Sequence, residues 1–167
     1  SLFARGLIAT VLFFAIYFSL AATFGWQNAA AWEPSIGEIS RWCERVRAGP
    51  IREPVNALSN VAFMLAGLWM FWVLGKEKRT QTGWFKGSHP VAVLYAWAVW
   101  FLGPGSLVMH GTHAAWGGWL DNLSMVSFIL IPWMVNLTQL GRYSLVQFFI
   151  AYFVVVAAYG LLRGYFG

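Results

Sequence analysis

Charge is scarce in this chain of 167 residues: six Asp and Glu with eleven Lys and Arg make it 10% charged, against 59% hydrophobic. About a quarter of a soluble domain is charged, so the composition excludes one and marks an integral membrane protein. There is one cysteine, Cys43, which excludes an internal disulfide and says nothing firm about redox compartment. Histidine is also sparse, with His89, His110 and His113. No Lys/Arg tract is long enough to follow a phosphate backbone and the basic residues sit between apolar runs, so the formal charge of +5 does not point to nucleic acid. Repeats, low-complexity tracts and dividing linkers are absent too, which predicts a single transmembrane domain over 1–167.

What is present is apolar length. Five runs can each cross a hydrocarbon core of about 30 Å, which takes roughly 20 helical residues: Leu7 to Gly25, Pro54 to Gly75, Val91 to Thr112, Trp119 to Leu137 and Ser144 to Leu162. A lipid-exposed sheet edge would leave backbone groups unpaired, so all five read as helices and the fold class is all-α, a polytopic transmembrane bundle. Arg5 before an apolar run and Ser19-Leu20-Ala21 after it imitate a signal peptide, but the run is long for one, and residues 1–25 read as an anchor span. With Ser1 in place of Met, the chain is expected to be trimmed, processed or partial. Alternate loops carry Arg5, Lys76, Lys78, Arg79, Lys86 and Arg142 on one side and Arg41, Arg45, Arg47, Arg52 and Arg163 on the other. The compact Lys76 to Lys86 group predicts a cytoplasmic N-terminus.

Residues 26–53 form the longest polar segment. Ser35 and Glu38 match a capping box, Gly49-Pro50 a stop, and Ile36, Ile39, Cys43 and Val46 one apolar face, which together predict a short interfacial amphipathic helix. Gly103-Pro104-Gly105 is expected to interrupt the third span and Pro132 the fourth. Trp26, Trp84, Trp116, Trp119, Tyr143 and Tyr165 near span ends fit aromatic belts.

Polar groups within apolar sequence are costly in lipid, and here helix alternation brings them together. Ser106 and His110 are spaced i,i+4 on one helix face, and Asp121 is expected to open the next helix after a Gly-Gly turn. Glu53, Asn56, Ser59 and Asn60 fall in the first turns of the preceding span, at the same rim. Glu44, Glu53, Asn56, Ser59, Ser106, His110, His113 and Asp121 should therefore gather at one interface, which the positive charges of the other side make extracytoplasmic. Asn56, Ser59 and Asn60 can equally be read as a structural polar cluster that bonds between helices.

Trp42-Cys43-Glu44-Arg45, Glu53-Pro54-Val55-Asn56-Ala57-Leu58-Ser59-Asn60, and Gly105-Ser106-x-x-x-His110 with Asp121 resemble, in order and spacing, the signatures of the alkaline ceramidase-like membrane hydrolases. That group belongs to a wider superfamily with the adiponectin and progestin receptors. The resemblance implies a seven-helix core that binds zinc and cleaves the amide bond of a ceramide-like lipid. It would make His110 a zinc ligand and Ser106 and Asp121 catalytic residues that hold or polarise the metal-bound water and the scissile carbonyl, the metal bringing the water's pKa towards about 7. Glu44, Glu53 and the Trp42 carbonyl would correspond to a calcium site.

Two departures qualify what the resemblance implies. The family's further zinc ligands come from a His-x-x-x-His pair that this chain lacks, and Arg41 and Val46 stand where calcium would want oxygen-bearing side chains. Residues 54–167 would then be a four-helix part of a ceramidase-like core, either incomplete or degenerate. Three outcomes stay open: a fragment of a longer enzyme, a non-catalytic accessory subunit of a larger membrane complex, or a local zinc site of His110, His113 and Asp121.

Overall fold

The computed structural model describes residues 1–26, 33–77, 83–86, 88–141 and 143–166. Lys78, Arg79 and Arg142, used above for topology, lie outside the described residues. The elements are α1 (Leu2–Phe24), α2 (Pro54–Ser59), α3 (Val61–Lys76), α4 (Pro90–Thr112), α5 (Ala115–Gln139) and α6 (Leu145–Phe166). Asn60 between α2 and α3 keeps helical dihedrals, so the two run on as a single rod. Counting that rod once, five helices among the described residues are long and apolar enough to cross a membrane. The all-α architecture expected from composition is what forms, and the chain has the build of a multi-pass membrane protein.

Burial identifies α4 as the central helix. It packs against α1, α2, α3 and α5, while α6 leans on α5. Phe71, Leu68 and Leu74 of α3 meet Ala92 and Ala96 of α4, and Val91 and Ala98 of α4 meet Ile131, Phe148 and Tyr152 from α5 and α6. The outer helices turn Leu7, Ile8, Val11, Ile16, Val146, Ile150, Val154 and Leu161 outwards, as lipid-facing helices do.

The expected break at Gly103-Pro104-Gly105 does not occur. Helix α4 runs unbroken from Pro90 to Thr112 with Pro104 inside it, and α5 carries Pro132 in the same way. The glycines serve close approach instead. A Cβ on Gly103 would lie 2.9 Å from the Asn60 carbonyl oxygen, and one on Gly105 would lie 2.5 Å from Ser124 Oγ. Likewise Gly117-Gly118 is not the turn before Asp121. The turn is at His113, which adopts the left-handed conformation (φ 57°) and donates its backbone N–H to the Met109 carbonyl. Helix α5 starts at Ala115, and Asp121 lies in its second turn.

The interfacial helix is a second correction. Residues 33–53 form no helix, and Ile39 and Arg45 pair as an isolated antiparallel bridge. Half of the capping contact is made, with the Ser35 N–H donating to the Glu38 carboxylate at 2.8 Å. The segment around that contact cannot wind into a helix, because Gly37 and Cys43 both take positive φ, 96° and 63°. Backbone bonds instead cross the loop, from Gly37 N–H to the Val46 carbonyl and from Val46 N–H to the Glu38 carbonyl, both at 2.9 Å. Val46 is buried by this fold, whereas Ile36 and Ile39 are exposed.

Candidate functional site

The loop is stitched to the rim of the bundle through its backbone. Arg52 N–H donates to the Gly111 carbonyl at 2.9 Å and Glu53 N–H to the His110 carbonyl at 3.1 Å, so the entry to α2 lies against the last turn of α4. Those carbonyls belong to a helix end that lacks intrahelical partners. The Tyr17 hydroxyl and the Trp26 indole both donate to the Pro50 carbonyl at 2.7 Å, which ties α1 to the same loop.

Glu53 is the hub. Its carboxylate is fully buried; Oε2 lies 2.6 Å from His110 Nδ1 and accepts from the Asn56 side chain at 3.1 Å, while Oε1 lies 3.1 Å from His113 Nε2. The other nitrogen of His113, Nδ1, faces Glu33 Oε2 at 3.3 Å, and Arg41 approaches Glu33 Oε1 at 3.6 Å. The result is a run of alternating acids and imidazoles, Glu33, His113, Glu53, His110, with the first three side chains at most 1% exposed. Burial by itself raises the Glu53 carboxyl, but hydrogen bonds from Ser40, Asn56 and His110 outweigh it and hold Glu53 below the ordinary range. Burial pushes the Glu33 carboxyl up, with Arg41 opposing, and pushes the His113 imidazole down despite the attraction of Glu53.

On the other side of His110, Ser106 and Asp121 face one another closely enough for their side chains to interact, within electrostatic reach of the His110 ring. Trp42 meets the His110 ring edge to face at 4.8 Å, and Arg41 stacks over Trp42 at 4.4 Å. Ser106, His110 and Asp121 thus converge at one rim, together with Glu53 and the loop. His113 is oriented elsewhere, both of its ring nitrogens being turned to Glu33 and Glu53. Glu33 is the residue that reasoning from sequence missed as part of the site, since an acid beside a proline in a polar segment reads as solvated surface.

The residues expected to hold calcium also converge, around Asn56. Glu44 accepts from the backbone N–H groups of Val55 and Asn56 at 2.9 and 2.7 Å, and the Trp42 carbonyl accepts from the Asn56 side chain at 3.4 Å. Glu44 thereby supplies, from across the loop, the acceptor that the start of α2 needs. Ser59 and Asn60 turn back to the Asn56 carbonyl, at 2.8 and 2.7 Å, and so bond within their own rod.

For zinc the donor chemistry fits in one respect and fails in another. A carboxylate on Nδ1 is the usual orienting partner of a metal-ligating histidine, and His110 has one in Glu53. A catalytic zinc takes three protein ligands, however, and among the described residues no three His, Cys, Asp or Glu side chains are grouped to hold an ion. The described residues do not by themselves form a zinc cage.

Helices long and apolar enough to cross a membrane, with a buried acid and imidazole cluster at one rim, define the class as a multi-pass helical membrane protein with a polar rim site. The family model for ceramidases matches residues 39–165, and the chain belongs to the ceramidase family, which is generally metal-dependent. No curated protein and no solved structure matches the chain.

Proposed function

We propose that the chain is a ceramidase-like hydrolase of linear lipid amides, with Ser106, His110 and Asp121 as its reactive group. The observation that carries this reading is the meeting of a hydroxyl–carboxyl pair, Ser106 and Asp121, with an imidazole already oriented by a buried carboxylate, Glu53. Three polar groups placed against apolar packing at a membrane rim are expensive unless used. Hydrolysis breaks the amide C–N bond, delivers the hydroxyl of water to the acyl carbon and returns a proton to the departing amine. Asp121 is suited to hold that water and to carry the proton, and Ser106 to fix the Asp121 carboxyl and meet the scissile carbonyl.

Zinc dependence belongs to the same proposal. His110 would be one ligand, and no group of His, Cys, Asp or Glu among the described residues completes the set. Calcium, held near Trp42, Glu44 and Glu53, would brace the loop rather than take part in the reaction. The polar rim is assigned to the extracytoplasmic side, the N-terminus to the cytoplasm and residues 1–25 to an anchor. Cys43 is exposed on the rim loop, so a membrane-impermeant maleimide added to intact cells should label it.

The test of activity is release of fatty acid from a long-chain N-acyl sphingoid base by the reconstituted protein, with zinc measured in the same sample. Loss of turnover in Ser106→Ala and Asp121→Asn, with the helical spectrum intact, is the expected result. A folded protein showing neither zinc nor turnover, in its longest natural form, would rule the reading out.

A further inference from the structure

Between the rim loop, the start of α5 and the end of α6 lies a cavity of about 760 Å³. Arg41 and Arg163 line it with Trp42, Trp116 and Trp119, and Asp121 forms part of its wall. Asn122 belongs both to this cavity and to an apolar groove of about 340 Å³ along α5, lined by Met125, Val126, Ile129, Leu130 and Trp133. Those residues follow i,i+3,i+4 spacing on one helix face. At 1.5 Å per residue, the stretch from Asn122 to Trp133 runs roughly 16 Å into the membrane. A polar chamber at the interface that continues into an apolar furrow has the shape of a single amphiphile, headgroup first.

The charge of the chamber selects among amphiphiles. Arg41 stacks on Trp42 and lies 3.6 Å from Glu33 Oε1, at the edge of the chamber. Arg163 has no acidic partner among the described residues and stands beside Gly164 in the cavity wall. Two guanidinium groups, against the single carboxyl of Asp121, stand among indole rings at the membrane rim and suit a phosphate or sulfate ester, since guanidinium binds such oxyanions through paired N–H donors. We propose that cavity and groove together bind one lipid whose headgroup carries an anionic ester, a ligand class distinct from a neutral ceramide. The binding claim stands apart from the hydrolase reading, because it requires no bond to be cleaved.

Native mass spectrometry of the full chain in detergent, titrated with phosphatidic acid, phosphatidylcholine of the same acyl chains, or inorganic phosphate, provides the test. One phosphatidic acid should bind saturably and be retained in preference to phosphatidylcholine, with inorganic phosphate a poor competitor. Arg163→Gln should weaken phosphatidic acid about fivefold, the effect of one basic residue at an anionic surface, and Arg163→Lys should retain much of the binding. Arg47→Gln removes the same charge from an exposed loop position outside the cavity, and should change little. Equal losses in Arg163→Gln and Arg47→Gln would mean unspecific surface attraction and overturn the site, as would equal binding of the two lipids. Displacement of the lipid by inorganic phosphate at matching concentration would overturn the part of the proposal that rests on the groove.

Discussion

Glu53 Oε2 sits 2.6 Å from His110 Nδ1, and the backbone of the same two residues is joined by the Glu53 N–H bond to the His110 carbonyl. The carboxylate fixes the ring's rotation and reserves Nδ1 as the proton-bearing nitrogen, leaving Nε2 as the basic one. Glu53→Gln keeps the volume and a side-chain oxygen but loses the charge. It should lower amide hydrolysis by about 10- to 100-fold, the usual cost of losing such an orienting partner. Undiminished turnover in the Glu53→Gln variant would show that His110 does not depend on Glu53.

Gly103 and Gly75 make a matched pair for testing the close helix approach that brings α2 to α4. A methyl group on Gly103 would meet Met64 Cγ at 2.5 Å and the Asn60 backbone oxygen at 2.9 Å, and the second of these cannot swing aside. Gly103→Ala should therefore destabilise by about 1–3 kcal/mol. Gly75 has nothing within 4 Å of its hypothetical Cβ, so Gly75→Ala should be neutral or gain up to about 1 kcal/mol from helix propensity. Thermal unfolding in one detergent compares both with the parent chain.

The spans were legible because lipid imposes a single backbone solution on long apolar runs, and the shared rim of Ser106, His110 and Asp121 came from alternation alone. The loop was not legible. Ser35 and Glu38 do form the contact their spacing suggests, yet Gly37 and Cys43 redirect the chain, and a positive φ at a cysteine leaves no composition signal. The same holds for Glu33, whose burial depends on His113 taking a left-handed turn after α4. Gly103-Pro104-Gly105 reads locally as a break, while the helix continues because neighbouring helices press into the space the glycines leave.

Helix α1 is joined to the bundle by few polar contacts, one of which can be isolated. The Trp100 indole donates to Thr10 Oγ1 at 2.9 Å, and the Thr10 hydroxyl donates to the Gly6 carbonyl at 2.9 Å. Thr10→Val removes the acceptor at nearly constant volume. Bonds of this kind between membrane helices average about 0.6 kcal/mol and reach about 1.7, so a small fall in melting temperature is expected. A fall equal to that of Gly103→Ala would imply that α1 contributes more to the bundle than its polar contact explains.

Acid should expose the opposing signs within the buried acid and imidazole run. His113 is held below its ordinary value of 6.5 by burial, so the unfolded chain binds this proton first; the stability it lends is present above pH 6.5 and lost as pH falls through its folded value. Glu53, depressed below 4.5, acts in the same direction at lower pH, its stability present above 4.5 and lost as pH falls through its folded value. Glu33, raised above 4.5, acts oppositely: the folded chain binds its proton first, so its contribution is full below 4.5 and fades as pH rises through its folded value. Melting temperatures taken between about pH 7 and pH 5 at constant ionic strength should separate the first and third effects. His113→Gln should flatten the decline of stability towards acid, and Glu33→Gln should steepen it. Identical slopes in both variants and the parent would mean that neither group changes its proton affinity on folding, and that the two carboxyls and the ring between them are hydrated in solution.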